Sequence, residues 1–458
     1  MLIDKSLADF VVNTKYANIP HDVISVAKKS LLDTLGVILA ANTLGEGCLE
    51  FVNMAKDWGG EGKSTIIGFG AKTSPPMAAF ANGSMAHALD FEEVHDSALV
   101  HPSAQSLPAA LAVSESLGGV SGQEFIAAIV IGNEITTRLG MALSCNPIEY
   151  GWYIPPILGA IGATAAACKI LDSNENQLLS AFSLALCHSS CSAEIIYSPK
   201  SIIRAVRDAF PAFAAVTSAL LSHKGITGFN QPISGKGGFF KMFAHGNYDT
   251  TRLLEGLGKN FFYTNISLKP WPSCRGTHAY VQAALSVAEE YKLAPEEIKE
   301  ICLIVNPQNI MLCEPLESKK RPQTAIDAKF SLPFTVASAL VYKKLDLDSF
   351  APQRLHDKKI LKLAGRVTYQ TSTKIRPVEG GLIISTNDGK TYSKYVYRNE
   401  LYGSPNNPLS KEHLIAKFLM CSQYSFKKLG EETLTDVIDL VLNIEKVKNI
   451  LSLIELLN

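Results

Sequence analysis

Between Asn82 and Ser103 the chain sets three histidines, His87, His95 and His101, among four carboxylates, Asp90, Glu92, Glu93 and Asp96. Imidazole and carboxylate at this density suit two chemistries. One is proton exchange, because an imidazole changes charge near neutral pH. The other is capture of a divalent cation, for which Glu92, Glu93, His95 and Asp96 supply both ligand types, although adjacent positions do not by themselves define convergent coordination. His87 and Asp90 are three residues apart and share a face if the preceding helix continues through them. Pro102 and Ser103 read as a helix start. His101 then stands just before a helix N-terminus, where unpaired N–H groups and the dipole favour an anion. That combination suits an imidazole acting on a carboxylate substrate.

The elements that must hold these residues follow from patterning. From Ser6 to about residue 260, apolar residues recur at helical spacing, as in Val23–Leu35 and Glu124–Ile135, so this part is expected to be all helix. The small-residue run Gly159–Cys168 suits close packing at the centre of a bundle. After Lys269-Pro-Trp-Pro272 the pattern turns mixed, with strand-like Ile301–Val305, Arg366–Gln370 and Leu382–Thr386. Asn387-Asp-Gly-Lys390 before Thr391–Tyr397 signals a hairpin. Tyr402–Ser410 punctuates the chain, Ser410 caps a further helix, and an apolar-periodic tail follows. The expected fold class is mainly α with an α+β insertion: a helical-bundle domain from residues 1–265 and 400–458, and a smaller α+β lid domain from 266–399. At 458 residues, two domains are the prior.

Composition narrows the function classes. Equal numbers of basic and acidic residues, 43 each, leave no electrostatic footprint for nucleic acid. No signal peptide or uncharged membrane-length run is visible, so no membrane partner is expected and the cytoplasm is the default. The nine cysteines, odd in number and scattered through apolar segments, fit reduced buried thiols, including Cys187 and Cys191. Gly68-Phe-Gly-Ala-Lys72 lacks the spacing of a nucleotide loop.

Three motifs in order, Asn82-Gly-x-x-x-His87-x-x-Asp90-Phe91 with His101-Pro-Ser103, then Lys269-Pro-Trp-Pro-Ser-Cys-Arg-Gly-Thr-His278, then Gly403-Ser-Pro-x-Asn-Pro, resemble the MmgE/PrpD superfamily of 2-methylcitrate dehydratases, cis-aconitate decarboxylases and iminodisuccinate epimerases. The resemblance spans essentially the whole chain. It implies a helical domain with an α+β lid, a homodimer, no metal and no organic cofactor, and a small di- or tricarboxylate substrate. Carried over by position, it implies site residues Asp90, His101, Lys200, Lys269 and Cys274. Removing a proton beside a carboxylate needs a base and fixed positive charge for the enediolate-like intermediate, roles that suit His101 and the two lysines. Arg204 and Arg207 lie on neighbouring turns of an expected helix, Ser201–Asp208, where either could clamp a carboxylate and Arg204 could pair with Asp208.

This chain departs from the better-known members. Tyr153 stands where the decarboxylase carries histidine before Pro155-Pro156, Phe334 where it has tyrosine, and Val94 where it has threonine, which argues against cis-aconitate decarboxylation. Cys274 replaces a histidine. A thiol near Lys269 and Arg275 is expected to have a lowered pKa and act with His101; the alternative is an inert Cys274 with His278 supplying the imidazole. The leading expectation is a hydro-lyase, with an epimerase or isomerase of a small dicarboxylate as runner-up and a noncatalytic carboxylate-binding scaffold as the third reading. Lys200, Lys269, Tyr153, Arg204 and Arg275 form the expected substrate-binding set.

Overall fold

The computed structural model describes residues 2–198 and 200–458. The fold is mainly α with an α+β portion, and 58% of it is helical. Its centre is a group of apolar helices, Pro75–His87, Pro102–Ser116, Gly122–Ala142, Ile154–Ile170 and Ala209–His223, packed on one another. Small residues set how close they come. A Cβ on Gly162 would lie 2.5 Å from the Gly132 carbonyl oxygen, and one on Gly132 2.7 Å from that of Gly162, so only glycine permits this crossing. The Gly159–Cys168 run therefore serves packing, as its composition suggested.

Among the described residues one helix, Gly122–Ala142, is long and apolar enough to cross a membrane, but most of its length is buried by its bundle neighbours. Its Glu134 and Arg138 pair at 2.6 Å, and Arg138 also donates to the Leu253, Glu255 and Asn260 carbonyls.

The first 265 residues are not helical throughout. Strands β1 (Ser64–Ile66) and β2 (Ala71–Thr73) form a hairpin, turned by Gly68 and Gly70 at φ +78° and +61°. The Gly68–Lys72 stretch is thus a hairpin turn. A second pairing bears on function: β3 (Val94–His95) runs antiparallel to β4 (Ile266–Ser267), tying the histidine-rich segment to the chain just before Lys269.

The later part builds one four-stranded sheet from β5 (Ile298–Val305), β6 (Val367–Thr371), β7 (Gly380–Thr386) and β8 (Thr391–Val396), in the order β6-β5-β7-β8. β5 and β6 are parallel and the other pairs antiparallel; β7 and β8 make the hairpin that Asn387-Asp-Gly signalled. Ile301, Leu303 and Val305 of β5 and Leu382 and Ile384 of β7 are buried, and helix His278–Glu290 packs on β7 and β8.

After the sheet, the Ser410 hydroxyl accepts from the His413 amide at 3.2 Å and starts helix Lys411–Ser422, which lies along His21–Leu44 in the bundle. Helix Glu431–Leu442 packs on His21–Leu44 as well.

Candidate active site

Helix Pro75–His87 stops at His87, so Asp90 does not continue its face. Asp90 instead adopts φ +49°, with its amide on the His87 carbonyl at 2.8 Å, a left-handed turn that Asp tolerates better than most side chains. The turn carries the Asp90 carboxylate to Lys269. Lys269 is completely buried; its Nζ donates to the Asp90 carbonyl at 2.9 Å and to the Asp90 carboxylate. Burial alone would raise the Asp90 pKa, yet the Lys269 ammonium, with His87 and His101, holds it well below the usual carboxylate range. Burial pulls Lys269 the opposite way, and Asp90 and Glu92 hold its pKa up. Lys269 is therefore a charged partner of Asp90, not a free carboxylate receptor.

His101 is the N-cap residue of helix Pro102–Ser116, as the sequence suggested. The anion expected at that N-terminus is supplied by the protein. The Glu93 carboxylate accepts from the Ser103 amide at 2.8 Å and from the Thr34 hydroxyl at 3.0 Å. His101 Nδ1 faces two acceptors, the Glu93 carbonyl at 2.9 Å and Glu92 Oε1 at 3.0 Å. It must donate to them, which leaves the Nε2 lone pair of the neutral ring as the base. Glu92 also accepts from His87 Nδ1, and the His87 and His101 rings meet edge to face at 4.7 Å. Burial, then Arg207, pushes the His87 pKa down. Glu92 is fully buried, yet the two imidazoles keep its carboxyl well below its usual range. One carboxylate thus orients two histidines.

The metal alternative gathers other residues than expected. His95 is engaged by the Phe262 carbonyl and the Ala98 amide, and Asp96 pairs with Arg275 at 3.1 Å. The set whose ligand atoms lie within 4.8 Å of one another is His87, Asp90, Glu92 and His101. An ion there would have to displace Lys269 and both imidazole–carboxylate bonds.

Next to this centre lies a second cluster, within reach of the Asp90 and Lys269 charges. The Cys274 amide bonds to the Lys329 carbonyl at 3.0 Å, and the thiol is near enough to Asp90, Arg204 and Lys269 to feel all three charges. Burial first, then Asp90, raises its pKa above the ordinary value despite the two cations, the reverse of the lowering expected from its sequence neighbours. His278 is not poised for proton exchange either. It is fully buried, with Nε2 on the Ser273 carbonyl at 3.1 Å, Nδ1 facing Arg275 at 3.4 Å and its ring edge on Trp271. Burial, then Arg275, pushes its pKa well below the imidazole norm. Arg275 itself is committed to Asp96, Ser267 and the Tyr402 carbonyl, so it braces the β3–β4 junction and does not reach toward substrate.

The expected helix Ser201–Asp208 is only Ile203–Val206. Arg204 does not pair with Asp208; its guanidinium lies 3.5 Å from the Phe330 ring centre and 5.7 Å from that of Tyr153, with Nε unpartnered. Arg207 takes Asp208, at 3.7 Å, and stacks near Tyr153, while Asp208 accepts from Gln105. Lys200, at φ +66°, is exposed; its amide meets Asp327 at 3.2 Å, and its side chain is not gathered with His101 and Lys269. Phe334 is buried against Phe350, and Val94 sits in β3.

Neither Lys417 nor Lys329 entered the site expected from sequence. Lys417, from helix Lys411–Ser422, pairs with Asp33 at 2.6 Å and donates to the Phe91 and Lys269 carbonyls at 2.7 and 2.9 Å. It fixes the two backbone segments that carry Asp90 and Lys269. Lys329 is 2% exposed, donates to the Pro272 carbonyl at 3.1 Å and lies over Phe350. Burial lowers its pKa to about 7. No local signal marks either lysine, since their partners lie far away in sequence.

Models of the MmgE/PrpD N-terminal domain and the MmgE/PrpD C-terminal domain match residues 5–251 and 271–443. The chain belongs to the MmgE/PrpD family. Among curated proteins it is 27% identical to the cis-aconitate decarboxylase-like protein oryM of Aspergillus oryzae, over 86% of each chain. It is 24% identical to the cis-aconitate decarboxylase of Aspergillus terreus, covering 100% of this chain and 96% of that one. The human cis-aconitate decarboxylase is 26% identical, with 98% and 92% covered. The boundary between the two family domains falls beside Lys269. Helix Lys411–Ser422 lies within the C-terminal match although it packs along His21–Leu44.

Proposed function

We propose that the protein is a cofactor-independent lyase that removes a proton beside a carboxylate of a small di- or tricarboxylate, and in particular a hydro-lyase of a hydroxy acid. The observation that carries this reading is His101, whose Nδ1 is fixed by Glu92 and the Glu93 carbonyl so that Nε2 is the free base. Negative charge developing on the substrate carboxylate would be met by Arg204 and by protonated Lys329, neither of which has a carboxylate partner among the described residues. With the base fixed and cations in place beforehand, little reorganisation is left for the reaction itself. The relatives named as decarboxylases support a lyase; Tyr153 and Phe334 turn the reading from decarboxylation toward loss of water.

Epimerisation shares the first step and differs in the return of the proton. Lys329, with a pKa near 7 on the Cys274 side, suits that return and favours an isomerase as the second reading. Offering methylcitrate, citrate, aconitate and iminodisuccinate in deuterated buffer, followed by NMR, separates the readings. Loss of water to an unsaturated acid that has gained no deuterium supports the hydro-lyase. Deuterium retained in otherwise unchanged substrate supports the epimerase, release of CO2 contradicts both, and binding without exchange leaves the scaffold. A homodimer is also proposed, on the exposed apolar side chains Tyr197, Ile202, Ile203 and Phe210; light scattering at the mass of one chain would contradict it.

A further inference from the structure

A cavity of about 520 Å³ is lined by Ile195 and Arg204 from one segment and by Lys319, Ile326, Asp327 and Phe330 from another. The second segment includes the short helix Ala325–Lys329, which ends in Lys329. Arg204 and Lys329 are the two cations assigned above to the substrate carboxylate, so whatever spaces these segments bears on binding. One turn touches both. Residues 45–47 join helix His21–Leu44 to helix Cys48–Asp57. Half-buried Glu46 accepts from the Ala325 amide through both carboxylate oxygens, at 3.2 and 3.1 Å, and from the Ile326 amide at 3.4 Å. Gly47, at φ +84°, lies so close to the Arg204 segment that a Cβ there would stand 3.0 Å from Ile202 and 3.4 Å from Val206.

A carboxylate on backbone amides is a charge-assisted contact, stronger than a neutral one, and Ile326 lies 280 residues from Glu46 in the chain. Every side-chain hydrogen bond of Glu46 among the described residues goes to this helix. Its charge also reaches Lys329. Burial lowers the pKa of that lysine, Asp90 opposes the fall, Lys269 adds to it, and Glu46 and Glu92 oppose it. We propose that Glu46 is a positioning residue: it fixes the helix that ends in Lys329 against the segment that carries Arg204, and so sets the affinity for the substrate's carboxylates without entering the proton transfer. The inference rests on the polycarboxylate reading above and adds to it the residue that holds the two cations in register.

The test is calorimetric binding of citrate, aconitate and succinate to the full chain and to its Glu46→Ala and Glu46→Gln variants. Affinity should weaken about ten-fold in Glu46→Ala at unchanged stoichiometry, the scale of a lost hydrogen bond to a charged group. The loss should be smaller in Glu46→Gln, whose amide oxygen still accepts but carries no charge. In that variant binding should also fall away at lower pH than in the unaltered protein, because Lys329 keeps its proton less well. Turnover at saturating acid should stay within about three-fold, since binding and not proton transfer is altered. A residue that served folding alone would reduce the number of binding-competent chains and leave their affinity as it was; thermal melts check that both variants fold. Without any ligand, hydrogen exchange at the Ala325 and Ile326 amides should be faster in Glu46→Ala. Equal affinities in all three proteins, or unchanged exchange at those amides, overturns the proposal and leaves the lyase standing. No binding of any of the three acids by the unaltered protein removes the polycarboxylate reading, and the proposal with it.

Discussion

The motif centre and the cavity side of the site use charge in opposite ways. Around His101 every formal charge already has a partner inside the protein: Asp90 with Lys269, Glu92 with two imidazoles, Glu93 with the start of helix Pro102–Ser116. Around Phe330 the cations Arg204, Lys319 and Lys329 rest on carbonyls and ring faces and have no carboxylate partner among the described residues. Burying an unmatched ammonium or guanidinium is costly, so the second region is the one improved by an incoming carboxylate. The first orients a base; the second lacks the anion that the substrate would bring.

The sharpest way to break this contrast is at the base. His101→Gln should lower turnover by about 10²–10⁴-fold, with the melting temperature nearly unchanged, in stopped assays of whichever acid the NMR screen identifies. A comparable loss of melting temperature would make His101 a packing residue instead.

Removing a matched charge should harm folding more than removing an unmatched one. Lys269→Met leaves Asp90 buried and unpaired, and urea titration should show a loss of about 3–5 kcal/mol. Lys417→Met strands Asp33, but burial has already raised that carboxyl to about 6. Asp33 can then take up a proton, so the loss should be smaller than for Lys269→Met and should shrink further below pH 6. Equal losses at all pH values would show that Asp33 does not titrate there.

Lys329 gives a pH signature of the unmatched side. Its pKa falls from 10.5 in the ordinary case to about 7 in the fold. Between those values the unfolded chain holds a proton that the folded one lacks, so this group makes stability rise with pH across that window. Lys329→Met should flatten the rise, raise stability at pH 7 and below, and weaken carboxylate binding. A variant less stable at pH 7 would mean that Lys329 is matched after all. The smallest effect is expected for Cys274→Ala, less than ten-fold on turnover, because its thiol pKa lies above that of a free thiol; a loss matching that of His101→Gln would restore the thiol as an acid–base group.

Local signals in the sequence carried local structure. Asn387-Asp-Gly marked the β7–β8 turn, and Pro102 marked the helix that His101 caps, because turn and cap preferences act within a few residues. Asp90 shows where such signals fail. Spacing three from His87 reads the same whether the helix continues or gives way to a left-handed turn, and Ala88-Leu89 carries no breaker. The hairpin at Ser64–Thr73 was hidden for the opposite reason: Gly68 and Gly70 were plain, but three-residue strands are too short for alternation to show. The site depends on partners far apart in the chain. Lys269 was legible through its motif, but its marriage to Asp90 was not. Cys274 and His278 were assigned chemistry from neighbours in sequence, whereas burial and more distant charges set their protonation.

The central claim is that His101 exchanges hydrogen at a carbon beside a carboxylate held by the unmatched cations. It is tested most directly by the rate of C–H to C–D exchange in the identified acid, in deuterated buffer, for the unaltered protein and His101→Gln at saturating ligand. The account predicts exchange in the former and at least a hundred-fold slower exchange in the latter, with ligand affinity preserved; equal exchange rates in the two would contradict it.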